Sequence, residues 1–234
     1  MEKSARPGII EEPSFRDRSY IFPDRDVAGR LLAQKLQNYR DTDGLVLAIP
    51  AGGVPVAAQI ARFLRLPLDL IIVRKIQIPW NTEAGFGALA PDGQKFFNEP
   101  LLQALNLSEE QVQAQLAATQ KNLEQREARF RGGQPYPNLK GKVALVVDDG
   151  LASGYTMLAA LKFIERQNPA EIIVAVPTGL LETVEFIRQS AATVVCLNIR
   201  TRRPFAVAAA YREWYDVPDQ EVLKILEEFQ QKPS

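Results

Sequence analysis

Two adjacent carboxylates, Asp148 and Asp149, follow directly after an apolar run at residues 143–147. Such a run predicts a strand that is buried on both faces, as in a parallel sheet. The acids are followed by a loop with two glycines and then by an apolar-periodic stretch that is typical of a helix. Open α/β sheets bind ligands at the carboxyl ends of their strands, and a helix N-terminus attracts anions. The segment therefore offers acceptors for hydroxyl groups beside a cradle for phosphate, which suits a sugar phosphate.

Strands and helices alternate through the middle of the chain, which favours parallel βαβ units and an α/β fold. Apolar runs predict further strands at residues 45–49, 68–73, 172–176 and 193–198. Helical periodicity predicts helices at about residues 26–39, 54–64, 108–130, 156–167, 181–189 and 218–229. Asp24 or Asp26 fits the cap of the first helix, and Ser108 with Gln111 fits a capping box.

Two segments fall outside this alternation. Residues 1–22 are charged and contain prolines, which predicts an N-terminal extension that is flexible in part. Residues 76–100 show no helical period and are rich in proline and glycine, which predicts a long loop or hairpin. We therefore expect one domain at residues 23–234, with a loop and helix insertion at about residues 76–135.

The composition excludes several classes of chemistry. The 234 residues include 28 basic, 28 acidic and no histidine residues. A balanced charge argues against nucleic acid or a membrane as partner, and the absence of histidine excludes Ser-His-Asp and Cys-His nucleophiles. With a single cysteine, common zinc sites are also excluded. Cys196 lies in an apolar run and is expected to be a buried structural thiol, and a chain without an internal disulfide is expected in the cytoplasm.

Other proteins also end a strand in two acids. Nucleoside triphosphatases do so, but they need a glycine-rich loop ending in Lys and Ser or Thr, which this chain lacks. A dinucleotide fold would need Gly-x-Gly-x-x-Gly, which is also missing. A solvated turn with no function would explain the two acids, but not the spacing of Gly150, Gly154 and Thr156 after them.

With these residues in view, the segment at 143–156 resembles the phosphoribosyl-diphosphate signature of type I phosphoribosyltransferases. The resemblance extends over roughly residues 25–226, to phosphoribosyltransferases of undefined acceptor. It is carried by residues 50–57, 73–75, 83–87 and 205–207, and by Tyr211. It implies an α/β fold in which a parallel sheet carries helices on both faces and a small hood.

The resemblance assigns a role to each part of the signature. Asp148 and Asp149 would bind the ribose hydroxyls of phosphoribosyl diphosphate (PRPP), and could contact a magnesium ion (Mg2+) indirectly. Because adjacent strand residues point to opposite faces, the two acids need not play equal roles. The 5-phosphate would be bound by Gly150, Leu151, Ala152, Ser153, Gly154, Tyr155 and Thr156. The diphosphate would be bound by Ala51, Gly52 and Gly53.

One position departs from the family pattern, because relatives carry arginine where this chain has Ala51. The lost charge could be replaced by Lys75 first, and by Arg74. Glu83 lies in the segment that resembles a flexible catalytic loop, where it could touch magnesium or a neighbouring loop. We therefore name Lys75, Arg74 and Glu83 as catalytic candidates. The alternatives are a solvated strand end for the two cations and an exposed loop acid for Glu83.

The implied reaction moves ribose 5-phosphate from PRPP to a nitrogen acceptor, expected to be a nucleobase, and releases diphosphate. A non-catalytic regulator that binds PRPP is the alternative, because Ala51 lacks the usual charge. The residues that bind the acceptor are not assigned. The hood that selects it would be built from the N-terminal region and from residues 200–214, although Phe205 and Trp214 are expected in the core. A homodimer is expected by analogy with the family.

Overall fold

The computed structural model describes residues 8–230. Along this part of the chain, the strands and helices are β1 (Gly8–Ile10), α1 (Arg25–Lys35), β2 (Gly44–Ala48), α2 (Gly53–Leu64), β3 (Leu68–Leu70), β4 (Arg74–Ile78), β5 (Asn81–Leu89), β6 (Lys95–Phe97), α3 (Glu99–Leu105), α4 (Glu109–Arg131), β7 (Val143–Val147), α5 (Tyr155–Glu165), β8 (Glu171–Leu180), α6 (Leu181–Arg188), β9 (Thr193–Arg200) and α7 (Asp219–Gln230).

Six strands form one parallel sheet in the order β1-β9-β8-β7-β2-β3. The strand that precedes the two acids, β7, has the predicted bounds and lies inside the sheet between β2 and β8. The α/β fold expected from the sequence is confirmed. Because β2 and β7 are parallel neighbours, the loops that follow them lie side by side at the carboxyl ends of the strands.

The sheet is buried on both faces, which explains the continuous apolar runs of its strands. One face carries residues such as Val46 and Leu145, which pack against α1, α2 and α7. The opposite face carries residues such as Leu47 and Val146, which pack against α5 and α6. Helices therefore cover both faces, as the resemblance implied.

The strand predicted at residues 68–73 was placed too long, because β3 ends at Leu70. Residues 71–73 remain buried but leave the sheet. Their neighbouring strand β2 ends at Ala48, and the chain then turns at Pro50, which has no N–H to donate. The pairing of β3 therefore ends where its partner ends.

The segment predicted as a long loop or hairpin forms a second, antiparallel sheet of β4, β5 and β6. The inner face of this sheet packs Ile76 and Phe86 against Leu116 of the long polar helix α4. The predicted capping box of Ser108 and Gln111 starts that helix. This small layer places the first residues of β4 beside the loops of the main sheet.

Residues 8–22 lie against the far edge of the main sheet, and residues 1–7 are outside the described part. Strand β1 pairs with β9, and the Asn198 side chain donates a hydrogen bond to the Arg18 carbonyl at 2.8 Å. Phe22 then bridges to Tyr211. Residues 11–22 and 201–217 thus come together at the carboxyl end of β9, and we call them the hood. Within residues 8–230, no helix is long and apolar enough to cross a membrane.

Candidate active site

The loops after β2 and β7 touch each other, and glycine makes this approach possible. A Cβ atom on Gly52 would lie 2.0 Å from Asp149 Oδ2, and one on Gly53 would lie 2.7 Å from the Val147 carbonyl oxygen. The peptide bond between Pro50 and Ala51 is cis. The loop assigned to diphosphate is therefore brought directly against the acids assigned to ribose.

Asp149 is held by a cation from another part of the chain. Arg25 Nε and Nη2 each lie 3.0 Å from Asp149 Oδ2, and the Arg25 side chain is 4% exposed. The Tyr211 hydroxyl donates to the backbone carbonyl of Asp149 at 2.6 Å. Asp149 therefore faces α1 and the hood.

Asp148 faces different neighbours. Its Oδ1 accepts the Asp149 N–H at 2.8 Å. Its side chain lines a cleft of about 340 Å3 together with Arg74, Lys75 and Thr156. The expectation that the two acids play unequal parts agrees with this arrangement, since Asp149 is paired with a cation and Asp148 faces an open cleft.

The surroundings of the two acids also separate their titration. Burial raises the pKa of Asp148 well above its ordinary value, and the neighbouring Asp149 charge raises it further. Burial also raises the pKa of Asp149, but Arg25 opposes that shift. Asp148 is therefore the acid that most needs a cation in the cleft to become ionised.

The loop at residues 150–156 leads into the N-terminus of α5. Gly154 adopts a left-handed conformation with φ of 82°, and no side chain caps the helix. The loop is anchored from behind, because the Thr183 hydroxyl donates to the Ala152 carbonyl at 2.8 Å and the Leu151 N–H donates to the Thr178 carbonyl at 2.9 Å. The first N–H groups of α5 are thus left for an anion.

A cavity of about 730 Å3 lies in front of this loop. All of residues 150–156 line it, and the hairpin residues 83–85 and Phe205 of the hood line it as well. Tyr155, whose place in the loop does not require tyrosine, packs its half-buried ring against Phe186 at a centroid distance of 5.6 Å. The seven residues assigned to the 5-phosphate therefore surround one space.

The three catalytic candidates lie around the smaller cleft. Lys75 donates a hydrogen bond from Nζ to the Glu83 carbonyl, and the Glu83 side chain itself is exposed. Arg74 is half-buried and makes no side-chain hydrogen bond or salt bridge to any of residues 8–230. Burial lowers the pKa of both cations, as expected where solvent is partly excluded. The structure therefore brings Arg74 and Lys75 to Asp148.

Arg25 was not identified from the sequence, although a signal was present. The buried residues of α1 recur at helical spacing, and Arg25 lies on that buried face with Ala28 and Leu32. An arginine at a core-facing position predicts a buried ion pair. The expectation that Trp214 lies in the core was wrong, because its side chain is 39% exposed and stacks on Arg25 at 4.0 Å. Phe205 is half-buried at the cavity.

Comparison with known proteins agrees with this geometry. Two proteins of Mycobacterium tuberculosis, from strains CDC 1551 and H37Rv, are each 36% identical to this chain over 207 residues, or 88% of its length. Their curated names assign them provisionally as phosphoribosyl transferases, and the chain spans 46% of the length of each. TT1426 from Thermus thermophilus, whose crystal structure is known, is 35% identical to this chain in sequence. The two structures have a TM-score of 0.70, and the match covers 89% of this chain and 98% of TT1426.

The model of the phosphoribosyl transferase domain family matches residues 25–211. The matched region begins at the arginine that holds Asp149 and ends at the tyrosine that contacts its carbonyl. It therefore includes the loops that follow β2 and β7, the two acids and the antiparallel insertion. The chain belongs to the phosphoribosyl transferase family.

Proposed function

We propose that this chain transfers ribose 5-phosphate from PRPP to a nitrogen acceptor and releases diphosphate. The observation that carries the proposal is the state of the two acids. Asp148 Oδ1 accepts a backbone N–H, and Asp149 Oδ2 accepts Arg25. Within residues 8–230, no N–H group or hydroxyl group donates a hydrogen bond to Asp148 Oδ2 or to Asp149 Oδ1, and the two carboxyl groups lie close enough to interact with each other. Two open acceptors on adjacent carboxylates suit the two neighbouring hydroxyls of a ribose.

The position of the acids relative to the helix supports the same substrate. Asp149 is followed immediately by the loop that ends in the uncapped N-terminus of α5. Helix N-termini bind phosphate through backbone N–H groups and the helix dipole. A ribose held by its hydroxyls at the acids would thus direct its 5-phosphate into residues 150–156.

The opposite side of the cleft suits the leaving group. Arg74 and Lys75 line the cleft together with Pro50, which directly precedes the loop at residues 51–53, and Arg74 forms no salt bridge within the described residues. Cations and backbone N–H groups stabilise the charge that develops on a departing diphosphate. These two side chains are proposed to supply the positive charge that Ala51 does not.

The donor set also fits a magnesium ion. Residues 8–230 contain no group of three or more acids, histidines or cysteines that could hold a metal alone. Magnesium commonly binds through one or two carboxylates, with phosphate oxygens and water completing its shell. Asp148 and Asp149 would hold such an ion together with PRPP, and the ion would neutralise charge on the diphosphate.

In the proposed reaction, the bond between ribose C1 and the diphosphate oxygen breaks, and the diphosphate keeps the electron pair. The acceptor nitrogen forms the new bond to C1 and loses a proton, which the departing diphosphate or water takes up. The β4–β5 hairpin carries Glu83 near its tip and borders the cleft, so its closure would exclude water from the reacting sugar. Catalysis then consists mostly of positioning and charge stabilisation.

The acceptor is proposed to be a nucleobase. Phe205 of the hood faces the phosphate loop across the cavity of about 730 Å3, and its half-buried ring can stack on a flat heterocycle. Arg203 and Glu182 line the same cavity and form an ion pair there, which offers polar groups to the edge of a base.

Diphosphate release in the presence of PRPP, magnesium and a panel of purines, pyrimidines and small amines tests the proposal. We expect release with at least one nucleobase and a strong decrease for Lys75→Gln. Binding of PRPP without release for any acceptor would instead support the alternative of a non-catalytic regulator. Release that is unchanged in Asp148→Asn would contradict the assignment of the site.

A further inference from the structure

The ion pair between Arg25 and Asp149 joins residues that are 124 positions apart. Arg25 Nε donates a hydrogen bond to Asp149 Oδ2 at 3.0 Å, and Nη2 lies 3.0 Å from the same oxygen as part of the ion pair. The Asp149 side chain is 15% exposed and Arg25 is 4% exposed, so water contributes little to the pair. A planar guanidinium group that both donates to one oxygen and pairs with its charge restricts the direction of that carboxylate.

Arg25 is itself fixed on its other sides. Its Nη1 donates to the Tyr215 carbonyl at 3.0 Å, and Trp214 stacks on the guanidinium at 4.0 Å. The ring centres of Tyr211 and Tyr215 lie 5.7 Å and 5.4 Å from the guanidinium carbon of Arg25. Residues of the hood thus fix the position of Arg25, and Arg25 in turn pairs with Asp149.

Asp149 is confined from two further directions. Gly52 approaches the carboxylate so closely that a Cβ atom there would lie 2.6 Å from Asp149 Cγ. The Tyr211 hydroxyl fixes the backbone carbonyl of the same residue at 2.6 Å. With Oδ2 paired with Arg25, Oδ1 is the carboxylate oxygen of Asp149 that Arg25 does not engage.

We propose that Arg25 is a positioning residue, which orients Asp149 so that Oδ1 accepts a ribose hydroxyl of PRPP. The inference rests on the proposed function. Arg25 does not touch the substrate, and it acts only through Asp149. A lysine in its place would keep the charge but would lose the planar guanidinium and its Nε donor, so the carboxylate would be held less firmly in one orientation.

An ion pair that only stabilises the fold would affect all ligands of the site alike. A positioning role would affect the ribose hydroxyls alone and would leave the phosphate loop intact. Inorganic phosphate is therefore a matched control, because it can occupy residues 150–156 without contacting Asp149.

The test is calorimetric titration of the wild type, Arg25→Lys, Arg25→Gln, Asp149→Asn and the double variant Arg25→Gln/Asp149→Asn. Each is titrated with PRPP plus magnesium and, separately, with inorganic phosphate. We expect Arg25→Lys and Arg25→Gln to weaken PRPP binding on the order of 10-fold, the effect of one charge-assisted hydrogen bond. Phosphate binding should not change. In the Asp149→Asn background, Arg25→Gln should have no further effect.

Arg25→Lys that binds PRPP as tightly as the wild type would overturn the inference. The inference would also be overturned if Arg25→Gln weakened PRPP binding equally in the wild-type and Asp149→Asn backgrounds. Circular dichroism identifies a variant that has not folded, and Trp214→Leu then replaces it in the test. This substitution removes the ring that stacks on Arg25 while keeping the ion pair with Asp149. It should weaken PRPP binding but not phosphate binding. A wild type that binds no PRPP would overturn the proposed function, and this inference with it.

Discussion

Replacing Gly52 with alanine is a steric test of the contact between the loop after β2 and Asp149 at the end of β7. Gly52 has φ of −60° and ψ of −33°, a conformation that alanine adopts readily. The substitution therefore adds one methyl group without backbone strain. Its Cβ atom would lie 2.0 Å from Asp149 Oδ2 and 2.6 Å from Asp149 Cγ.

The size of the effect follows from these distances. Ordinary van der Waals contact begins at 3.4 Å, so the carboxylate oxygen must move by about 1.4 Å. It cannot move that far while it still lies 3.0 Å from both Nε and Nη2 of Arg25. We expect a loss of about 1–3 kcal/mol in the free energy of unfolding, as for an overpacked core. A displacement of about 1 Å at a site can cost on the order of 100-fold in rate.

Urea unfolding gives the change in stability, and titration with PRPP plus magnesium gives the change in affinity. Gly8→Ala is the matched control, because a Cβ atom at Gly8 meets nothing within 4 Å. We expect the control to behave like the wild type in both measurements. Gly52→Ala that is as stable as the wild type and binds PRPP equally well would refute the proposed packing of Gly52 against Asp149.

Three further predictions concern charge and burial. Arg74→Gln and Lys75→Gln should each weaken binding of PRPP by roughly 10-fold but leave ribose 5-phosphate binding unchanged, since only PRPP carries the diphosphate; equal losses for both ligands in parallel titrations would argue against their role. The raised pKa of Asp148 means that it takes up a proton as pH falls, at a higher pH than an ordinary aspartate with a pKa near about 3.9. PRPP affinity should therefore fall with decreasing pH more steeply in the wild type than in Asp148→Asn, and identical profiles would contradict this. Cys196 is fully buried and burial raises the pKa of its thiol, so a thiol reagent should label it only as the chain unfolds in urea; rapid labelling in native buffer would be inconsistent with that burial.

The strand that precedes the two acids and the helix caps could be predicted because their signals are local. The apolar run before Asp148 specifies a strand buried on both faces, and β7 has the predicted bounds. The same holds for the caps, since Asp24 accepts the Val27 N–H at 2.7 Å and Ser108 starts α4. In each case, the residues that determine the structure are neighbours in the sequence.

The contacts that complete the site could not be predicted in this way. Arg25 reaches Asp149 across 124 positions, and no local pattern names its partner. Trp214 has a large aromatic side chain of a type that is often buried. Its ring is nevertheless partly exposed, because it stacks on the buried guanidinium of Arg25. Strand β1 has only three residues and is defined by its pairing with β9. Tertiary contacts, rather than local propensity, decide all three.

The most direct test of the central claim is calorimetric titration of PRPP with magnesium into the wild type and into Asp148→Asn. Asn keeps the shape of the side chain but lacks the charge that strengthens a hydrogen bond to a hydroxyl, an effect of about 1.5–3 kcal/mol. We predict saturable binding by the wild type and an affinity roughly 10- to 100-fold lower for Asp148→Asn, with both proteins folded. No binding by the wild type, or equal binding by the two proteins, would contradict the assignment of this cleft to PRPP.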